Sequence, residues 1–150
     1  MRPLFADPFY WIALLHRREV WHGRVVALSR TLGTRRVLTT EWVLAEFLAF
    51  YSVGGAVTRQ RAAMRTRQIL QDPQLQVLQP SQATFLDGLA LYESRLDKHY
   101  SLTDCISMHV MRREGLTDVL TNDHHFTQEG FHILFTGYAF LQRLLTRHFE

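Results

Sequence analysis

Four acidic residues of this 150-residue chain stand where a carboxylate could do chemistry: Asp7, Glu46, Asp104 and Asp123. Glu46 is the only charged residue in "WVLAEFLAFYSV" (42–53), and a helix apolar on every side is expected to be buried. An ionised carboxylate there needs a metal, an arginine or several donors, because an unpaired buried charge is costly; a glutamate looking out through a gap is the other reading. Asp7 precedes Pro8, so it can cap a helix that the proline opens, and a cap uses only one of the two oxygens. Asp104 closes "SLTD" with Ser101 at capping-box spacing, while Leu102, Ile106 and Val110 mark a different face. Asp123 follows an apolar strand and opens "DHHF", either as a turn residue or as a ligand. Oxygen ligands without cysteine suit Mg²⁺ or Mn²⁺ rather than zinc. Carboxylates gathered this closely repel one another unless metal or protons intervene. His124 and His125 are adjacent, so their side chains diverge, and no cysteine or spaced third histidine completes a zinc set. At most one of them is expected near the site, against phosphate. Asp97 reads as an outer ligand or a solvated surface acid.

The elements that must carry these acids alternate between strand and helix patterns. An apolar run at 3–6 ends at Asp7, and helices read at 9–15 and 19–32, the second with Val20, Trp21, Val25, Leu28 and Leu32 at helical spacing. A β-prone stretch at 36–40 leads into a helix at 41–53, closed by Gly54-Gly55. Further helices read at 58–71, 82–96 and 101–114, with strands at 75–79, 118–122 and 131–135. An amphipathic helix over 138–148 closes the chain, as packing or as a dimer contact. Alternation of this kind predicts one parallel sheet covered by helices on both faces. Ligands in such folds bind beyond the carboxyl ends of the strands, where strand order reverses, which is where Asp7 and Asp123 fall.

Composition bounds what such a site can serve. Length fits a single domain over 1–150, without linker or repeat, and 47% apolar residues suffice for a core. No apolar run is long enough to span a membrane, Asp7 comes too early for a secretory signal, and the lone Cys105 excludes an internal disulfide. A cytoplasmic protein is expected. Sixteen of the 17 basic residues are arginine, which reads either as genome composition or as a preference for phosphate. With four carboxylates committed to metal, 17 basic residues face ten remaining acids, a balance of +7 that would draw in a polyanion. Walker, nucleophile-elbow and Gly-x-Gly-x-x-Gly motifs are missing.

Taken in order, these blocks resemble the PIN-domain ribonucleases. "LFADPFYWIALL" is similar to their opening strand and helix, "LTTEWVLAEFLAF" to their second block, and "YSLTDCISMHVMRREGLTDVLTNDHHFTQEGFHILF" to the last two blocks of the VapC-like toxins of type II toxin–antitoxin systems. The likeness runs from about residue 3 to 135. It implies a three-layer α/β/α sandwich with a central parallel sheet and Mg²⁺- or Mn²⁺-dependent hydrolysis of RNA. The catalytic and metal residues it implies are Asp7, Glu46, Asp104 and Asp123, with Glu46 in the inner or outer ring. It also implies a homodimer and a small antitoxin whose tail blocks the site. One position departs: the family usually has Thr or Ser after the first aspartate, and this chain has Pro8. The alternative is therefore a degenerate PIN domain that binds RNA or a partner protein without cleavage. "VLTNDHH" also resembles the signature of DHH phosphoesterases, but their Asp-x-Asp and His-His-Gly blocks are missing. A receiver-like module would need a strand-borne lysine, and the only lysine is Lys98, in a connection between helices.

Overall fold

In the computed structural model, residues 2–136 are described. Five strands, β1 (Leu4–Ala6), β2 (Val37–Thr40), β3 (Leu75–Leu78), β4 (Asp118–Leu120) and β5 (His132–Ile133), form one sheet in the order β3-β2-β1-β4-β5. Every pairing is parallel, as the alternating pattern predicted. β1 and β2 are buried along their whole length, which is why "LFA" and "VLTT" carry no charge: a central parallel strand meets helices on both faces.

The connections are helical: α1 (Pro8–Leu15) and α2 (His22–Thr31), α3 (Glu41–Tyr51) and α4 (Ala56–Gln71), α5 (Gln82–Ser94) and α6 (Leu102–Arg113), and the single turn α7 (His125–Gln128). From β1 the chain moves outward through β2 to β3, then returns across the sheet to β4 and β5. Right-handed crossovers put α1–α4 on one face and α5–α7 on the other, giving the α/β/α sandwich. Phe5, Phe47, Ile106, Met108, Met111, Leu120 and Phe126 are fully buried within its core. Gly88 lets α5 and α6 approach closely, since a Cβ there would meet the Ile106 backbone at 3.0 Å. Gly115, at φ +69°, ends α6 in a Schellman turn: Leu116 N–H donates to the Met111 carbonyl at 2.8 Å and Gly115 N–H to that of Arg112 at 3.2 Å.

Several boundaries differ from the sequence reading. The helix expected over 19–32 begins at His22, and Val20 lies in the preceding turn, 89% exposed, instead of on an apolar face. The helix start is held from outside, by His22 Nδ1 at 2.6 Å from the Ala13 carbonyl oxygen of α1. The strand expected to 122 stops at Leu120, where Thr121 N–H turns back to the Val119 carbonyl at 3.0 Å. Of the last apolar run, His132–Ile133 forms β5, while Leu134 and Phe135 N–H still donate to the Val119 and Thr121 carbonyls at 3.0 and 3.2 Å; α7 was not anticipated. α3 is not buried all round: Ala45, Ala49 and Phe50 face solvent. The amphipathic helix expected over 138–148 lies outside the described residues. No helix among the described residues is long and apolar enough to cross a membrane.

Candidate metal centre

Strand order reverses at the neighbours β1 and β4, and the segments leaving their carboxyl ends carry Asp7 and Asp123. Asp7 is buried, at 6% exposure, and does not use its side chain as a helix cap. Its Oδ2 instead accepts a 2.9 Å hydrogen bond from the Thr121 hydroxyl, and its Oδ1 is buried with no hydrogen-bond partner. The Thr39 hydroxyl donates to the Ala6 carbonyl at 2.8 Å and ties down the residue before it. Pro8 occupies the first turn of α1, so the hydroxyl beside Asp7 comes from the end of β4 and not from the next residue in the chain.

Asp104 makes the capping box anticipated from "SLTD". Ser101 N–H donates to Asp104 Oδ2 at 3.0 Å, and Asp104 N–H donates to Ser101 Oγ at 3.0 Å. This locks the carboxylate at the entrance of α6, largely shielded from solvent at 14% side-chain exposure. Asp123 also has a local role, accepting from His125 N–H on Oδ1 at 2.9 Å, while its own N–H donates to Thr121 Oγ1 at 3.2 Å. The local readings and the site readings of these two aspartates therefore coexist. His125 Nδ1 lies 3.3 Å from Asp123 Oδ1 and 3.7 Å from Asp104 Oδ2, without the alignment of a hydrogen bond. Ligand atoms of Asp104, Asp123 and His125 all fall within 4.8 Å of one another, a spacing that could hold a metal ion.

Of the two readings of Glu46, a charge buried in the core and a glutamate looking out through a gap, the second holds. The residue is exposed, because the helix face carrying it is open to a cleft instead of packed in the core. That cleft, of about 570 Å³, is lined by Asp7, Glu46, Asp104, Asp123, Thr121 and His124, with Phe9, Ile12 and Phe50 as its apolar wall. Asp97 stands apart, exposed and paired with Lys98 at 3.2 Å.

Burial and neighbouring acids raise the pKa of Asp7, Asp104 and Glu46. Asp7 is pushed well above the usual range, first by burial and next by Asp104; the Thr121 hydroxyl opposes, and Asp123 and Glu46 add to the rise. Burial leads for Asp104 as well, with Asp123 adding and the Ser101 backbone N–H opposing. For Glu46, partial desolvation of the carboxylate comes first and Asp104 second, against a hydrogen bond with Thr103. A buried carboxylate oxygen without a donor, facing other acids, is the electrostatic complement of a cation. An oxygen-rich donor set with one imidazole fits a divalent ion.

Thr121 was not singled out in the sequence, and the choice between His124 and His125 was left open there. Thr121 looks like an ordinary strand threonine until β1 and β4 pair and its hydroxyl reaches Asp7. His125 brings its ring to the carboxylates, because α7 begins there and turns it toward Asp104 and Tyr100, whose ring lies edge-on at 5.3 Å; His124 lines the same cleft, so both histidines border the site and not at most one. The "DHH" adjacency was the available signal, and periodicity could not choose between the two histidines.

No family model matches the chain, and no curated protein matches it in sequence. Solved structures do. VapC20 of Mycobacterium tuberculosis, a sarcin–ricin-loop-cleaving toxin, superposes with a TM-score of 0.77 at 23% identity, over 85% of this chain and 95% of that one. FitAcB from Neisseria gonorrhoeae superposes with a TM-score of 0.61 at 15% identity, over 87% and 95%. The fold is thus the PIN-like α/β/α sandwich found in VapC20, as the sequence blocks implied.

Proposed function

We propose that this PIN-like chain is a metal-dependent endoribonuclease, the toxin of a VapBC-type pair. The observation that carries the reading is the convergence of Asp7, Asp104 and Asp123, with Glu46 on the same cleft, at the reversal of strand order. Asp7, Asp104 and Asp123 would hold Mg²⁺ or Mn²⁺, with His125 and Glu46 beside them on the same cleft. When bound, the divalent ion supplies Lewis acidity and neutralises charge at the phosphoryl oxygens. Asp7 is the rigid member, pinned by Thr121, and Asp104 is held by its capping box. Glu46, on the wall of the same cleft, would accept the proton of the attacking water. Phe9, Ile12 and Phe50 shape a wall along which an unpaired strand can lie. The fold shared with a toxin that cleaves the sarcin–ricin loop supports RNA as the substrate class.

Incubation with total RNA and Mn²⁺, with and without chelator, tests the assignment. Cleavage that stops on chelation is expected. Asp7→Asn and Asp104→Asn should each lose it while keeping the far-ultraviolet circular dichroism of the folded chain, and full activity in either variant would sink the assignment. Pro8 favours one rival, a domain that binds RNA without cutting, and that reading expects retention of RNA with no Mn²⁺-stimulated product. A small antitoxin, a homodimer and a cytoplasmic setting follow from the same resemblance. An upstream reading frame encoding a DNA-binding fold with a disordered tail is the expected genetic context.

A further inference from the structure

Beyond Phe50 the acid cleft adjoins a second depression. Leu15, His16, Arg17 and Arg18 at the end of α1 face Tyr51, Val53 and Gly54 after α3 and Thr58 and Arg61 on α4, around about 680 Å³. Phe50 lines both spaces, so it forms their shared wall. The two differ sharply in charge: the cleft gathers acids, and the depression presents Arg17, Arg18 and Arg61. None of these three pairs with a carboxylate among the described residues. Between the arginines lie exposed apolar surfaces, with Phe50 at 50% and Val53 at 91% exposure. Tyr51 is held in the wall by its hydroxyl, which donates to the Ile12 carbonyl at 3.1 Å. His16 packs edge-on to Tyr51 and carries a buried Nδ1 with no hydrogen-bond partner.

Unpaired guanidinium groups interleaved with aromatic faces are the chemistry that binds a single nucleic-acid strand: cations follow the phosphates and rings take the base faces. A strand with its scissile phosphate over the acids has to leave the cleft, and the wall it shares with the arginine groove is Phe50. We infer that this groove holds the nucleotides flanking the cleaved bond, with Arg17, Arg18 and Arg61 on backbone phosphates and Phe50 under a base. The inference rests on the proposed ribonuclease reading for the position of the scissile bond, but the groove's affinity for RNA can be measured without cleavage. An acidic peptide would also complement the arginines. RNA is favoured because the groove shares Phe50 with the cleft and that aromatic ring is half exposed.

The test uses the full chain carrying Asp104→Asn and a fluorescein-labelled single-stranded RNA of about a dozen nucleotides, read by anisotropy across a salt series. Arg17→Ala with Arg18→Ala, and Arg61→Ala separately, should each weaken Kd by roughly tenfold, and the salt slope should fall by ~0.7 per phosphate contact removed. Phe50→Ala should weaken Kd without changing the slope. Arg30→Ala, at an exposed arginine of α2 outside the groove, removes the same single charge as Arg61→Ala and should stay within about twofold of the parent. Unchanged Kd in the groove variants, the result expected of a peptide site, overturns the inference. So does a loss equal to that of Arg30→Ala, which would indicate a diffuse field. In parallel, the chain without Asp104→Asn is incubated with the same RNA and Mn²⁺. Groove-dependent binding without cleavage would remove the catalytic reading and leave the groove standing; cleavage with groove-indifferent binding would do the reverse.

Discussion

Asp7 concentrates the electrostatic cost of the candidate site. Its carboxylate is buried, receives one hydroxyl on Oδ2, has no partner on Oδ1 and meets the charges of Asp104, Asp123 and Glu46. Burial, the largest cause, raises its pKa in the folded chain above that of the unfolded one. A carboxyl shifted in that direction favours the folded state while protonated, and its contribution is lost as pH rises through the folded value. Metal-free Asp7→Asn should therefore melt above the parent, by roughly 2–4 °C for each 1 kcal/mol recovered in a chain of this size. The gap should widen between acid and neutral pH. Saturating Mn²⁺ should close or reverse it, because the parent then gains binding energy that the variant lacks. Melting curves at several pH values, with and without Mn²⁺, check this, and a gap indifferent to both would contradict it.

At the scale of elements, α7 and the turn after it are fixed by one acid. The side chain of Glu129 is 5% exposed; it takes Arg95 at 2.7 Å, Arg112 at 2.7 Å and the Tyr100 hydroxyl at 3.1 Å. Tyr100 in turn packs against His125, so this node joins the connection before α6 to the turn bearing the candidate ligand. Despite the opposing effect of burial, the donors from Arg95, Arg112 and Tyr100 bring the Glu129 pKa down to about 2. A depressed carboxyl contributes stability above its unfolded pKa and loses it as pH falls toward the folded value. Glu129→Gln should cost about 1–3 kcal/mol at neutral pH, discounted because both arginines are partly exposed. The deficit should shrink as pH is lowered from the ordinary glutamate range toward about 2. Acid-unfolding curves of parent and variant measure it, and a constant deficit would refute the role of the charge.

The molecule as a whole carries a formal charge of +3 with 17 basic residues. Arginines on the groove beside an acidic cleft separate the two signs, so a polyanion is attracted to the cations and repelled by uncompensated acids. RNA affinity should fall steeply with ionic strength, and KM should rise with salt more than kcat falls. Titration of cleavage rate against potassium chloride at fixed Mn²⁺ checks this; a salt-independent KM would mean that recognition is not made through phosphates.

Much of this architecture was legible in the chain, because periodicity and charge are local properties. The charge-free β1 and β2 runs, the strand–helix alternation and the positions of Asp7 and Asp123 after strands are written in consecutive residues, and with crossover handedness they define a parallel sheet with a rim site. The capping role of Asp104 was equally local, since Ser101 and Asp104 belong to one turn. What tertiary structure alone decided depends on residues far apart in the chain. Glu46 was picked out for the wrong reason: its helix looked buried by composition, and only packing shows that one face opens on the cleft. Thr121 gained its role when β4 came beside β1 and set a hydroxyl on Asp7. His125 was brought against Asp104 and Asp123 by the direction of a one-turn helix that Glu129 and Tyr100 anchor, while His124 stayed on the cleft wall. The sequence by itself determined which acids could meet. Where their oxygens point, and which neighbours hold them there, followed from strand pairing and burial, whose energies are not local to any segment.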